Sequence, residues 1–132
     1  MITAGNDLAN LRNMQLRRSE AEALYREDLG RHRRTGDKGN IATLCTNLGR
    51  LLMRTSRAED GESLLLEAEA LGREIGRVML LASVLDELAS HRLAQGKSEV
   101  ARKLAEEARS IRRRVGVSSH FSEALYERLG LT

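Results

Sequence analysis

A chain that matches itself at a fixed offset is built from repeated units, and this one does so every 40 residues. The offset aligns Leu48 with Leu88, Glu59 with Glu99, Leu64 with Leu104, Glu67 with Glu107, Ala68 with Ala108, Arg73 with Arg113 and Gly76 with Gly116. One step earlier the same frame meets Leu8, Leu24, Glu27, Arg33 and Gly36, so five positions recur three times. Such self-similarity is the signature of stacked units, each burying its apolar face on its neighbours. After Gly116 the frame slips by one residue, and Leu129-Gly130 falls under Leu88-Ala89 and Leu48-Gly49. A fourth unit begins there.

Within a unit the apolar spacing is helical. Leu64, Ala68, Leu71 and Ile75 advance by four, three and four, and Leu104, Ala108, Ile111 and Val115 repeat the pattern. Each set reads as the buried stripe of a second helix. The first helix carries Ile41, Leu44, Cys45, Leu48, Leu51 and Leu52, then Leu81, Val84, Leu85 and Leu88 one unit later. Each unit therefore reads as a helical hairpin. Asn40 is placed to cap a helix starting at Ile41. Ser19 with Glu22 and Ser56 with Glu59 have capping-box spacing, and Gly36, Gly76 and Gly116 stand where helices should stop. The expected helices are about 4–14, 18–34, 41–54, 57–75, 78–94, 98–115 and 120–129, seven in all.

The stretch TNLGRLL puts Gly49 inside the second unit's first helix, where glycine costs roughly 1 kcal/mol against alanine. The frame supplies a reason: Ala9, Gly49, Ala89 and Gly130 share one position, and Ala21, Gly61 and Ala101 stand twelve residues further on. Small residues on both helices allow the closest backbone approach in the hairpin, and a larger residue at 49 would force it apart.

Composition narrows the class further. Proline is absent, and Tyr25, Phe121 and Tyr126 are the only aromatics, so an all-α chain is expected. The lone Cys45 cannot form an internal disulfide, and no apolar leader follows the amino terminus, which favours a cytoplasmic location. The longest apolar run, Val78 to Ala82, is far short of the roughly 20 residues that a membrane span needs. The net charge of +3 is a small excess of 22 basic over 19 acidic residues and gives no strong nucleic-acid signal.

Leu48-Gly49, Gly61 and Ala68, and again Leu88-Ala89, Ala101 and Ala108, resemble the pattern of the tetratricopeptide repeat: Leu and a small residue, a small residue twelve on, an Ala seven beyond. The resemblance covers nearly the whole chain as one domain, residues 1–132, with repeats at about 3–36, 41–76 and 81–116 and a capping helix at about 120–129. It implies a right-handed α-solenoid of three hairpins plus that helix. The period of 40 exceeds the usual 34, Cys45 and Leu85 replace the family's large aromatic, and the closing Pro is missing. These departures are similar to the longer repeats of kinesin light chains and of large bacterial signalling ATPases and transcriptional activators. A HEAT-like helical array is the other all-α reading of such a period.

The resemblance implies that the first helices line a concave face that binds a peptide or partner protein, another domain of a larger parent chain included. Its groove positions fall on Asn6, Asp7, Asn10 and Asn13; on Thr43, Thr46, Asn47, Arg50 and Met53; and on Ser83, Asp86, Glu87 and Ser90. Asn47 offers a side-chain donor and acceptor for clamping an extended backbone, while a solvated helix position explains it equally. Arg50 has two readings, an acidic ligand or a neighbouring Asp86 or Glu87. With Arg50 as the only groove cation, the carboxylate clamp of chaperone-binding members is excluded, and Asp86 and Glu87 suggest a basic or neutral ligand.

Other chemistry has little support. Arg31, Arg33, Arg34 and Arg112, Arg113, Arg114 lie in last helical turns, where cations offset the helix dipole, so they read as helix ends before nucleic-acid patches. His32, His91 and His120 have no partner at metal-ligand spacing, and Cys45 lies on an apolar stripe. No enzymatic activity, metal or cofactor is expected. A different kind of reading is self-association: Leu125, Leu129 and Leu131 have no following helix to cover them, so the last helix could pair with a second copy.

Overall fold

The computed structural model describes the backbone of residues 4–131, and the side chains of 11–131 except that of residue 13. Six α-helices account for nearly all of it: α1 (Ala4–Thr35), α2 (Lys38–Met53), α3 (Ala58–Ile75), α4 (Val78–Ala94), α5 (Ser98–Val115) and α6 (His120–Arg128). Helix α2 packs on α3 and α4 on α5 as the dominant pairs, with α1 on α2, α3 on α4, and α6 against α4 and α5.

Helices α3 to α6 lie within a residue of expectation, and α2 starts three residues early. The two helices expected at 4–14 and 18–34 are instead the single helix α1. No Gly or Pro stands between Gly5 and Gly30, and the stretch across the expected break, Met14 to Ser19, is rich in helix formers. Ser19 therefore caps nothing; its hydroxyl donates to the Gln15 carbonyl one turn back, 3.2 Å away. The correct number of helices among the described residues is six.

Caps were misplaced in two further places. Asp37, not Asn40, caps α2: its carboxylate accepts from the Asn40 backbone N–H at 3.2 Å and from Asn40 Nδ2 at 2.6 Å. Ahead of α3 the Arg57 N–H donates to Thr55 Oγ1, so Ser56 does not act as the cap. The glycine stops hold. Gly76 and Gly116 end α3 and α5 with φ of 73° and 81°, a left-handed conformation that glycine alone adopts freely.

The buried line of each second helix is shifted one notch from expectation. In α3 it is Gly61, Leu65, Ala68 and Gly72, and in α5 it is Ala101, Ala105, Ala108 and Arg112, the same positions 40 residues apart; of the expected stripes, Ala68, Ala108 and Ile111 are buried. Leu64, Leu71 and Leu104 flank that line half-buried, while Ile75 and Val115 are exposed. The shift follows from close approach: where two helix axes come together, small residues fill most of the centre of the contact, and Leu64, Leu71 and Leu104 are displaced to its sides while Leu65 stays buried on the line. A Cβ built on Gly61 would sit 2.7 Å from the Gly49 carbonyl oxygen.

Two apolar clusters result. One joins Leu29 of α1 with Ile41, Cys45, Leu48 and Leu52 of α2, Leu65 and Ala68 of α3, and Val84 and Leu88 of α4. The other joins Leu81, Leu85 and Ala89 of α4 with the alanines and Ile111 of α5 and with Leu125, Tyr126, Leu129 and Leu131. Helix α4 feeds both, which is why its sequence is apolar on two sides. Bidentate ion pairs stitch the units together: Arg33 donates to both Glu67 oxygens at 2.6 and 2.9 Å, and Arg73 to both Glu107 oxygens at 2.7 and 2.8 Å.

Candidate interaction groove

Three adjoining clefts run along α2, α4 and the start of α6, and Arg54 lines all of them. The largest, about 340 Å³, is bounded by Arg50, Arg54, Ser83, Glu87, Ser119 and Phe121. A second of about 220 Å³ is bounded by Met53, Arg54, Glu87, Ser90, His91 and Phe121. The third, also about 220 Å³, lies toward α1 between Tyr25, Asn47, Arg50 and Arg54. The clefts thus bring together Asn47, Arg50, Met53, Ser83, Glu87 and Ser90 of the sequence-predicted set.

Glu87 lies at the centre, mostly shielded from solvent. Arg50 Nε stands 3.2 Å and an Arg54 guanidinium nitrogen 3.8 Å from its carboxylate. Burial pushes the Glu87 carboxyl above its ordinary range, and the two guanidiniums pull the other way. Arg50 Nε is itself buried, and its N–H has no hydrogen-bond partner, so it is close enough for an ion pair but not aligned for a bond. Two guanidiniums around one carboxylate leave this part of the groove cationic. The basic or neutral ligand expected from Asp86 and Glu87 therefore loses its basis.

Asp86 lies at the floor of the largest cleft rather than open on it. It is 1% exposed, and its carboxylate accepts from Arg112 Nε at 3.0 Å, Ser122 Oγ at 2.7 Å and Tyr126 Oη at 2.9 Å. It locks α4, α5 and α6 together. Arg112, expected as a solvated helix-end cation, is buried with it, while Arg113 and Arg114 are exposed. In the 40-residue frame Arg112 stands where α3 has Gly72, and Asp86 where α2 has Thr46, and the structure buries all four.

Thr46 is also buried, its hydroxyl donating to the Ala42 carbonyl. Thr43 donates to the Gly39 carbonyl and accepts from Arg77. Asn6, Asp7, Asn10 and Asn13 lie outside the residues whose side chains are described. Phe121, Arg54 and Tyr25 were missed. Phe121 is 45% exposed and flanks two clefts, but α6 lies past the slip in the frame, so position alone did not place it.

Leu125, Leu129 and Leu131 are buried rather than open to a second copy. Tyr126 anchors α6 inward, and Arg102 donates to the Leu129 carbonyl at 2.7 Å, so the helix turns its leucines onto α4 and α5. Pairing through these three leucines is excluded by their burial. Among the described residues no helix is long and apolar enough to cross a membrane. No protein-family model, curated protein or solved structure matches the chain.

Proposed function

We propose that this chain is a non-enzymatic docking module of the tetratricopeptide-repeat type, a right-handed α-solenoid whose groove along α2, α4 and α6 takes an extended segment of a partner protein. The reading is supported by the 40-residue frame, by the small-residue pairs that hold each hairpin closed, and above all by the row of clefts joined through Arg54, with Glu87 and Phe121 common to two of them and Arg50 to another two. Asn47 at one end supplies a donor and an acceptor for a peptide backbone, and Phe121 at the other supplies an apolar anchor. The excess of guanidinium charge selects a segment carrying an acidic residue, which would pair with the exposed Arg54 guanidinium.

The test is selection of peptides from a displayed library on the wild-type chain, with counter-selection on Asn47→Ala/Arg50→Ala/Phe121→Ala. Peptides that bind the wild type, carry an acidic residue and lose binding to the triple variant support the groove. Peptides that bind both equally, or whose amide-shift footprint by NMR falls on α3 and α5 alone, overturn it.

A further inference from the structure

Three glutamates of this chain are each hydrogen-bonded by an arginine outside their own helix: Glu22 by Arg57, Glu67 by Arg33 and Glu107 by Arg73. Glu87 is different. Its side chain is only 14% exposed, with Arg50 Nε at 3.2 Å and an Arg54 guanidinium nitrogen at 3.8 Å, yet among the described residues it makes no hydrogen bond. The charges are also confined to this one place. In the 40-residue frame Ser90 and Ala94 stand for Arg50 and Arg54, and Asn47 stands for Glu87.

An aligned, two-pronged pair such as Arg33 with Glu67 fixes both partners, whereas guanidiniums held without a hydrogen bond are open to exchange. Arg54 is 62% exposed and lines all three clefts, so it is placed to turn from Glu87 to an anion lying in the groove. We propose, resting on the docking reading above, that Glu87 is an internal stand-in for the partner's acidic side chain, occupying Arg54 until an anionic group of the docked segment takes it.

The exchange leaves the Glu87 carboxylate close to a second anion and with less positive charge to offset it. Like charges so placed are costly, the more so once the segment excludes water. Docking therefore draws a proton onto Glu87, whose carboxyl burial already pushes up. By reciprocity, acidification tightens docking by the same factor by which docking favours the proton. The charged groups facing Glu87 agree in direction. Arg50 and Arg54 of α2 stay cationic, Asp86 is held by Arg112 of α5 within the hub, and α6 presents Ser119 and Phe121, which carry no charge. His91, one turn along α4 and beside Glu62 of α3, gains positive charge on acidification and adds to the effect.

The test uses a short fluorescent peptide with two cysteic acids beside a leucine. Its sulfonates stay ionised, so only the protein titrates between about pH 5 and pH 8. Calorimetry in two buffers of different ionisation heat counts the protons taken up. The wild type is expected to bind more tightly as pH falls and to take up protons on binding. Glu87→Gln lacks the competing charge and is expected to bind about fivefold or more tighter at neutral pH, with fewer protons taken up. His91→Gln removes only the histidine's share. Circular dichroism checks that both variants are folded, and proton uptake by His91→Gln tests Glu87 with its carboxyl in place. Glu87→Gln that binds no tighter than the wild type, or His91→Gln that takes up no proton, overturns the proposal. If no protein binds the sulfonate peptide while the displayed library still yields groove-binding peptides, the stand-in role fails and docking stands; if the library yields none either, both fail.

Discussion

Gly49 and Gly61 meet backbone to backbone: a Cβ on either would lie within 3.0 Å of the other's carbonyl oxygen. On Gly61 the added atom would also lie 2.9 Å from the Met53 nitrogen, whereas on Gly49 its other close neighbours belong to the Leu65 side chain, which can move. Gly61→Ala is therefore expected to destabilise by about 1–3 kcal/mol in urea unfolding, and Gly49→Ala by less. Gly30 is the control. It lies inside α1 with nothing within 4 Å of the added atom, so Gly30→Ala should stabilise by about 0.5–1 kcal/mol through helix propensity alone. Equal effects at all three positions would remove close packing as the explanation of the small-residue positions.

The Asp86 carboxylate joins three helices through Arg112, Ser122 and Tyr126. Asp86→Ala leaves a buried guanidinium and two hydroxyls without their acceptor, and it is expected to cost about 3–5 kcal/mol. Tyr126→Phe removes one neutral partner and should cost about 1 kcal/mol. Burial raises the Tyr126 hydroxyl to about 12. Spectrophotometric titration of tyrosine should therefore show a late-titrating group in the wild type that returns toward the ordinary range in Asp86→Ala as α6 loosens. A normal Tyr126 titration in the wild type would contradict the buried hub.

How much of this could be read from the sequence varies by element. Helices α4 and α5 agree with expectation to the residue because Gly76 and Gly116 give an unambiguous stop at the outer ends of the pair. The break expected near residue 16 rested only on the capping-box spacing of Ser19 and Glu22, and without a helix breaker that spacing is too weak to interrupt α1. Asn47, Arg50 and Glu87, which the tetratricopeptide resemblance implies for one face, line the clefts. The burial of Asp86 did not, because it depends on an arginine 26 residues away and on α6, which lies past the slip in the frame. Nor could periodicity show that the buried lines of α3 and α5 run through Gly61, Leu65 and Gly72 and through Ala101, Ala105 and Arg112 rather than through Leu64, Leu71 and Leu104; that depends on the distance between helix axes.

Acid should weaken the fold through its external ion pairs. Arg57, with help from Arg26, holds the Glu22 carboxyl down to about 2, and Glu67 and Glu107 are lowered by Arg33 and Arg73. A carboxyl with a lower pKa in the folded state binds fewer protons there than in the unfolded chain. Its stabilisation is present above the ordinary value near 4.5 and is lost as pH falls toward 2. The urea midpoint is expected to fall between about pH 5 and pH 2, and less steeply in Glu22→Gln. Glu87 has the opposite sign: burial raises its pKa, so its protonation favours the folded state, and Glu87→Gln should make the acid loss steeper. A midpoint that stays flat over this range would show that these pairs contribute nothing.

Cys45 provides a probe of whether the two apolar clusters open together. The thiol is fully buried in the cluster formed by α1 to α4, near Arg33 and Glu67, and burial raises it to about 12, so a disulfide reagent should not label it in the native state. Labelling then reports the fraction of molecules that open, and each 1.4 kcal/mol lost from that opening speeds it about tenfold. Asp86→Ala acts in the other cluster, around α6, and touches no residue packed on Cys45. Helix α4 nevertheless belongs to both, with Leu81, Leu85 and Ala89 turned toward α5 and α6, and Val84 and Leu88 turned toward Cys45. Loss of the Asp86 hub is therefore expected to speed Cys45 labelling by the full factor set by its urea-measured destabilisation. Tyr126 that titrates freely while Cys45 labels at the wild-type rate would mean that α6 detaches alone and that α4 does not transmit the change.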